Sequence, residues 1–137
     1  MTIQTDIRDA LEAQAVTVTG FPDAANRAWD NVAFKSTTGT TWARLSIFPV
    51  MTRPAVRGAS PQLRYDGLFQ VSLFAPVNTG PHTVEALADA VLGAFTVDEV
   101  LTKGTTNVRF NYAERNPALV DQPWYQVPIT VSWYSYK

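Results

Sequence analysis

The sequence predicts an α+β fold in which two helices cover one face of an antiparallel or mixed sheet of about five strands. Apolar residues recur at helical spacing in two segments and alternate in five others. Consecutive alternating segments with two helices are typical of such a sheet, covered on one face. The predicted element order is αβββαββ. A chain of 137 residues suits one domain, which we take as residues 1–137.

The N-terminal part contains the first predicted helix, over residues 3–15. Its apolar positions recur every three or four residues: Ile3, Ile7, Ala10, Leu11 and Ala15. A short strand with mixed faces is predicted over 29–34. A polar turn at 35–40 separates it from a clearly alternating strand at 41–50.

A long hairpin is the strongest local prediction. The strand at 41–50 and a second strand at 62–75 both alternate, and the connection at 51–61 shows no period. This connection is long for a hairpin and contains Arg53 and Arg57 among prolines and a glycine. We therefore expect a protruding loop that carries two arginines away from the sheet.

The second half begins with a helix predicted over 81–95, whose apolar stripe is Val84, Leu87, Ala88, Val91, Leu92 and Phe95. Strands are predicted at 107–114 and 124–136. For the connection at 96–106, a loop and a short strand both remain alternatives. Residues 115–123 are predicted to be a loop.

Two expectations about packing follow from these assignments. The helical stripe should pack on the sheet face formed by Phe69, Val71, Leu73, Val127, Ile129 and Val131. Pro128 cannot donate to a strand ladder, so the last strand should be an edge or bulged at that point.

The composition excludes several classes of protein. Hydrophobic residues make up 46% and charged residues 17%, which is typical of a globular chain. The net charge of −1 argues against attraction of the whole chain to nucleic acid or an anionic membrane. There is no cysteine, so disulfides and thiolate metal sites are excluded. No apolar run is long enough to span a membrane, and the N-terminus is unlike a signal peptide, so we expect a soluble chain made in the cytoplasm.

The sequence predicts no catalytic, cofactor-binding or metal-binding residues. His82, the single histidine, should be an exposed residue at a helix start without a chemical role. Asp30 should be half-buried in a structural hydrogen bond, with Arg44 as the candidate partner. No phosphate loop or nucleophile–base pattern is present. Strand aromatics such as Phe69 and Phe110 lie on the faces that the helices should cover, which argues against an RNA-binding platform.

Large aromatics and arginines outside the expected core instead indicate a protein interface, because exposed residues of these types are enriched there. The candidate interface residues are Arg53, Arg57, Trp42, Phe48, Trp124, Tyr134 and Tyr136. A well-formed scaffold with such a surface and no catalytic cluster suggests a part of an assembly.

The order and spacing of several motifs resemble a known family. They are "WDNVAF", "TGTTWARL", "RYDGLFQVSLFAP", the helix "EALADAV" and the closing "WYQVPITVSW". Together they resemble the tail terminators of long-tailed phages, a family of small tail-completion proteins. The resemblance runs from Ile3 to Trp133. Residues 51–61 and 97–106 carry no matching pattern.

This resemblance implies a small virion subunit made in the host cytoplasm that forms a homo-oligomeric ring, expected to be a hexamer. The ring would cap the tail tube protein at the head-proximal end of the tail and meet the head–tail connector or neck proteins. DNA would pass through its lumen, and no membrane or cofactor is implied. The alternatives left open are a head-completion or neck adaptor and, from a different class, a small-ligand-binding or enzymatic α+β domain.

Overall fold

The fold contains more β-strand than α-helix. The computed structural model describes residues 3–36, 39–54, 58, 62–78, 80–97, 99–121 and 123–136, and it shows a seven-stranded sheet with two α-helices. The elements in chain order are α1 (Ile3–Val16), β1 (Arg27–Trp29), β2 (Trp42–Pro54), β3 (Leu63–Pro76), α2 (His82–Ala94), β4 (Val100–Lys103), β5 (Thr106–Arg115), β6 (Leu119–Asp121) and β7 (Trp124–Tyr136).

The sheet has the strand order β1-β2-β3-β7-β5-β4, and β6 also pairs with β7. β1 runs parallel to β2, whereas the other pairs are antiparallel. The predicted layout of about five strands in the order αβββαββ is therefore wrong. The described chain is a larger sheet in the order αβββαββββ, because two short strands, β4 and β6, join the five predicted ones.

The first strand differs most from its prediction at 29–34. β1 ends at Trp29, and the chain then turns, with the Val32 amide donating to the Trp29 carbonyl at 3.3 Å. Asn31 adopts a φ of 56°, which extended strands do not use. A strand of three residues is too short to show a period of two, so it could not be predicted from the alternation of apolar residues.

The hairpin is longer than predicted. β2 and β3 pair from Trp42 opposite Phe74 to Pro54 opposite Leu63, with a bulge between Pro49 and Met51. Residues 51–54, predicted as loop, are therefore strand. The rest of the predicted loop, apart from Gly58, lies outside the described residues, and Arg57 is among these. β1 pairs only with residues 43–45, so residues 46–54 of β2 pair with a strand on one side alone within the described chain.

Strand β7 is interior to the sheet as a whole, yet at Pro128 it pairs with a described strand on one side only, so the strand is locally an edge there, as expected. Its register with β3 is unbroken, and Pro128 lies opposite Ser72. On the other side, the ladder with β5 ends at Ile129 and the ladder with β6 ends at Gln126. The Pro128 carbonyl points into this gap and accepts from the Asn116 amide at 2.9 Å. The Pro128 nitrogen, which carries no hydrogen, faces the same gap as the carbonyl. Its lack of a donor therefore interrupts no strand ladder.

Both helices pack on the same face of the sheet and form one core with it. Val84, Leu87, Val91 and Phe95 share this core with the predicted strand residues Phe69, Val71, Leu73, Val127, Ile129 and Val131, which confirms that packing. Helix α1 contributes Ile7, Ala10, Leu11 and Ala15 to the same cluster. The opposite face of the sheet is left without a helix in the described chain.

Candidate functional site

The sheet face opposite the helices, which we call the open face, carries most of the predicted interface residues. It is formed by the alternate positions of β2, β3 and β7 that point away from the core. These positions are Trp42, Arg44, Ser46, Phe48, Gln70, Ser72, Phe74, Gln126, Thr130, Ser132 and Tyr134. Because successive strand residues point to opposite faces, the same alternation that builds the core builds this surface.

An aromatic cluster covers one end of the open face. The rings of Trp42 and Phe74 stack with centroids 4.0 Å apart, and Trp124 meets Trp42 edge-on at 5.9 Å. Phe34, from the connection between β1 and β2, covers Trp42 at 5.0 Å. Trp42 and Trp124 are only 6% and 9% exposed, so the expectation that these two side chains are exposed is wrong. They bury each other in a second small cluster.

A depression of about 520 Å³ lies beside this aromatic cluster. It is lined by Trp42, Arg44, Ser46, Phe48, Gln70, Ser72, Phe74, Trp124 and Gln126. Arg44 is the single charged residue of the lining, and its guanidinium lies 5.5 Å from the ring centroid of Trp42. Phe48 is 48% exposed at the rim. The depression therefore combines aromatic walls, amide and hydroxyl groups, and one cation.

A second group forms around Asp66, near the outer end of the hairpin. Arg64 donates from Nε to the Asp66 carboxylate at 3.0 Å, and its guanidinium lies 4.4 Å from the Tyr134 ring centroid. The Arg64 Nη1 also donates to the Tyr136 hydroxyl at 3.1 Å. These contacts, the hydrogen bond to Asp66 foremost, raise the pKa of Arg64. Arg53, with its side chain 55% exposed, lies 3.8 Å from the same carboxylate.

The structure thus divides the predicted interface residues into two groups. Arg53, Tyr134 and Tyr136 gather around Asp66, whereas Trp42, Phe48 and Trp124 border the depression. The residues Arg64 and Asp66, which hold the first group together, were missed. Their alternation along β3 was visible in the sequence, but their mutual contact depends on side-chain geometry that alternation does not specify.

Asp30 is held by residues other than the predicted Arg44. Its Oδ2 accepts from the Arg8 guanidinium at 3.0 Å and from the Ile47 amide at 3.1 Å. Burial alone would raise the pKa of Asp30, but these hydrogen bonds outweigh it and lower the pKa. The neighbouring Glu12, 3.4 Å from Arg8, differs because burial raises its pKa despite the same cation. Asp30 therefore ties α1 to β2, a structural role.

Little else in the described residues has the form of a reactive site. His82 is exposed at the first position of α2. Within the described ranges, no three histidine or carboxylate side chains lie together in a way that would hold a metal ion. No helix in the same ranges has the length and apolarity needed to span a bilayer.

One of the comparisons with known proteins identifies a family. A family model described as phage tail terminator protein matches residues 6–133. A solved structure of a protein whose name gives no function aligns with a TM-score of 0.75 at 24% identity, covering 98% of this chain and 95% of the other. A chain in the virion of a native gene transfer agent particle aligns with a TM-score of 0.48 at 20% identity, covering 98% and 92%. No curated protein matches the sequence.

Proposed function

The chain belongs to the phage tail terminator family, and from this membership we propose that it is the subunit of a ring, expected to be a homohexamer, that caps the tail tube. The family match over residues 6–133 carries the proposal, since it covers all of α2, α1 except for its first three residues, and nearly the whole sheet. A structural role in a phage virion follows from the family itself. The ring, its place at the head-proximal end of the tail and its partners are what we propose.

The exposed apolar residues of the subunit support assembly. Phe48, Val50 and Met51 on β2 are 48%, 63% and 52% exposed, and Leu119 and Val120 on β6 are 53% and 63% exposed. A cyclic ring requires two different patches of each subunit to meet. The two groups lie on separate strands of the sheet, so the subunit offers more than one such patch.

The group around Asp66 supports contact with partners above or below the ring. Arg53 is exposed near the outer end of the hairpin, and Tyr136 is 38% exposed beside it. Arginine and tyrosine are both enriched at the centres of protein interfaces. We infer a contact with the tail tube protein or with the connector or neck proteins. One or two arginines per subunit are few for binding DNA, so any contact with DNA in the lumen would be a passing one.

The test is the tail phenotype of a phage that lacks this chain, scored by electron microscopy. Loss of a terminator should leave tubes that exceed the normal length and are not joined to heads, because nothing stops polymerisation. Supplying the wild-type chain from a plasmid should restore both length and joining. Tails of normal length that fail to join would instead identify a neck adaptor and would overturn the capping role.

A further inference from the structure

We propose that the open-face depression of one subunit receives the outer surface of helix α2 of the next subunit in the ring, with Arg44 paired to Asp89. This inference rests on the proposed ring and names the two surfaces that build it. The occupant of the depression is a second copy of this chain. We identify it by the complementary charges that lie on opposite sides of the subunit.

The depression presents an unpaired positive charge. Arg44 is its single charged lining residue, is exposed, and forms no ion pair with any described residue. By contrast, Arg53 and Arg64 share the Asp66 carboxylate. Arg44 lies against Trp42, which keeps its guanidinium at the wall of the depression. A partner carboxylate would therefore meet a cation that has no competing acid beside it.

The outer surface of the helices presents the opposite charge. Their five carboxylates are Asp6, Asp9, Glu12, Glu85 and Asp89, against the one cation Arg8. Glu12 pairs with Arg8 at 3.4 Å, Glu85 pairs with Arg115 at 3.1 Å, and Asp6 accepts from Thr106 at 3.2 Å. Asp9 and Asp89 form no ion pair with described residues, and of these two only Asp89 is exposed, whereas Asp9 is partly buried.

The surroundings of Asp89 allow close approach. Val84, Leu87, Ala88 and Val91 turn the other side of α2 into the core, so Asp89 points away from the sheet. Its exposed neighbours along the helix are Ala86 and Ala90, whose small side chains leave the carboxylate accessible. The exposed ring of Phe48 lines the same depression, two open-face positions along β2 from Arg44, and offers an apolar surface for these alanines.

The arrangement also meets one requirement of a ring. The depression and the outer surface of α2 lie on opposite sides of the subunit, one on the open face and the other beyond the helix layer. A contact between them is heterologous and repeats from subunit to subunit, as closed cyclic rings require. DNA fits the depression less well than a second subunit does, because one cation is too few for the dense phosphate charge of a duplex.

Charge reversal tests the pair in the purified chain, with native mass spectrometry as the readout. Arg44→Glu and Asp89→Arg should each raise the concentration needed for half-assembly by about tenfold or more, because a like-charge contact replaces an attractive one. The double variant Arg44→Glu/Asp89→Arg should restore assembly. Lys35→Glu and Glu99→Arg make the same charge changes at other exposed positions and should leave assembly unchanged. Thermal unfolding confirms that each variant is folded.

Cross-linking locates the contact directly, because the chain has no cysteine of its own. Arg44→Cys subunits mixed with Asp89→Cys subunits should be joined by a short thiol-reactive cross-linker. Neither variant should be joined to itself. Cross-linking of Arg44→Cys to itself would show a two-fold contact and overturn the inference.

The two proposals fail in different ways. Wild-type rings that tolerate both charge reversals overturn the inference and leave the proposed function intact. Rings that form from Arg44→Glu but no longer bind tail tubes or retain DNA overturn it too, because the open face then serves another partner. A wild-type chain that forms no ring, free or in virions, overturns the proposed function and the inference with it.

Discussion

Gly67 of strand β3 lies directly opposite Trp133 of strand β7, and the Trp133 indole occupies the space that a side chain at residue 67 would need. A Cβ atom on Gly67 would lie 2.7 Å from Cε2 of Trp133 and 2.8 Å from the Phe48 carbonyl oxygen. Trp133 is fully buried in the core beneath the helices. The missing side chain at residue 67 therefore lets a tryptophan complete the core between two central strands.

Gly67→Ala should destabilise the subunit by about 1–3 kcal/mol, because overpacking a closed core forces side chains or backbone to move. Gly93→Ala is the matched control. A Cβ on Gly93 meets nothing within 4 Å, and alanine in a helix is favoured over glycine by about 1 kcal/mol. Chemical denaturation of both variants should therefore show shifts of opposite sign. Equal shifts would contradict the close packing of Gly67 on Trp133.

The shared core predicts large losses for two truncations. Phe69 is fully buried, with its ring centroid 5.7 Å from that of Phe95, and Leu87 is 9% exposed on α2. Phe69→Ala and Leu87→Ala should each lower the free energy of unfolding by about 2–5 kcal/mol. Val97→Ala, at a residue that is 61% exposed, serves as the control and should change little. Unchanged thermal midpoints for both core variants would rule out this packing.

The aromatic residues of the open face should separate into structural and interface roles. Trp42→Ala should cost the subunit about 3–5 kcal/mol, because it removes a buried ring stacked on Phe74. Phe48→Ala should change subunit stability by about 0.5 kcal/mol or less, since its ring is half exposed. Phe48→Ala should nevertheless weaken assembly. Calorimetry and native mass spectrometry distinguish the two effects, and a stable Trp42→Ala subunit would contradict the burial of this cluster.

Asp30 and Glu12 should give pH dependences of opposite sign. The lowered pKa of Asp30 means that its carboxylate stabilises the fold above the unfolded pKa of about 3.9, and that this contribution is lost as pH falls through the folded pKa. The difference in thermal midpoint between wild type and Asp30→Asn should thus shrink in acid. The raised pKa of Glu12 has the opposite consequence, because the charged carboxylate is the form that the fold disfavours. Glu12→Gln should therefore be more stable than wild type near neutral pH, and this difference should disappear as pH falls and Glu12 becomes protonated. Both effects should be about 1 kcal/mol or less, because Asp30 and Arg8 remain partly exposed.

His82→Ala should leave folding, assembly and infectivity unchanged, because the exposed imidazole at the start of α2 has no assigned role. Plaque counts and thermal unfolding of the variant are the measurements. A marked infectivity defect in a normally folded variant would reopen the possibility of an enzymatic domain.

Long, strongly periodic segments were predictable from the sequence. The apolar stripe of α2 and the alternation of β3 and β7 each repeat over more than twelve residues, so helix, strands and their mutual packing followed directly. The three-residue strands β1 and β6 were not predictable, because they are too short to show a period. The parallel pairing of β1 with β2 likewise leaves no local signal in either segment.

The side-chain contacts of the candidate site were less accessible to sequence reasoning. Strand alternation placed Trp42 and Arg44 away from the core, but it could not show that Phe34 and Phe74 would bury the Trp42 ring. The partner of Asp30 is Arg8, 22 residues earlier on a helix. Such pairs depend on how a helix docks on the sheet, which is a tertiary relationship that periodicity alone does not contain.

The half-paired outer length of β2 has a consequence for the subunit before it is assembled. A strand bonded on one side offers its free amides and carbonyls to other chains, and this is how soluble sheets begin to form fibres. Along residues 46–54, Pro49 and Pro54 lack the amide hydrogen and the bulge after Pro49 breaks the spacing of the remaining donors. Copies accumulating in an infected cell therefore present an edge on which indiscriminate strand addition is interrupted. The same irregular edge leaves the apolar side chains of Phe48, Val50 and Met51 exposed.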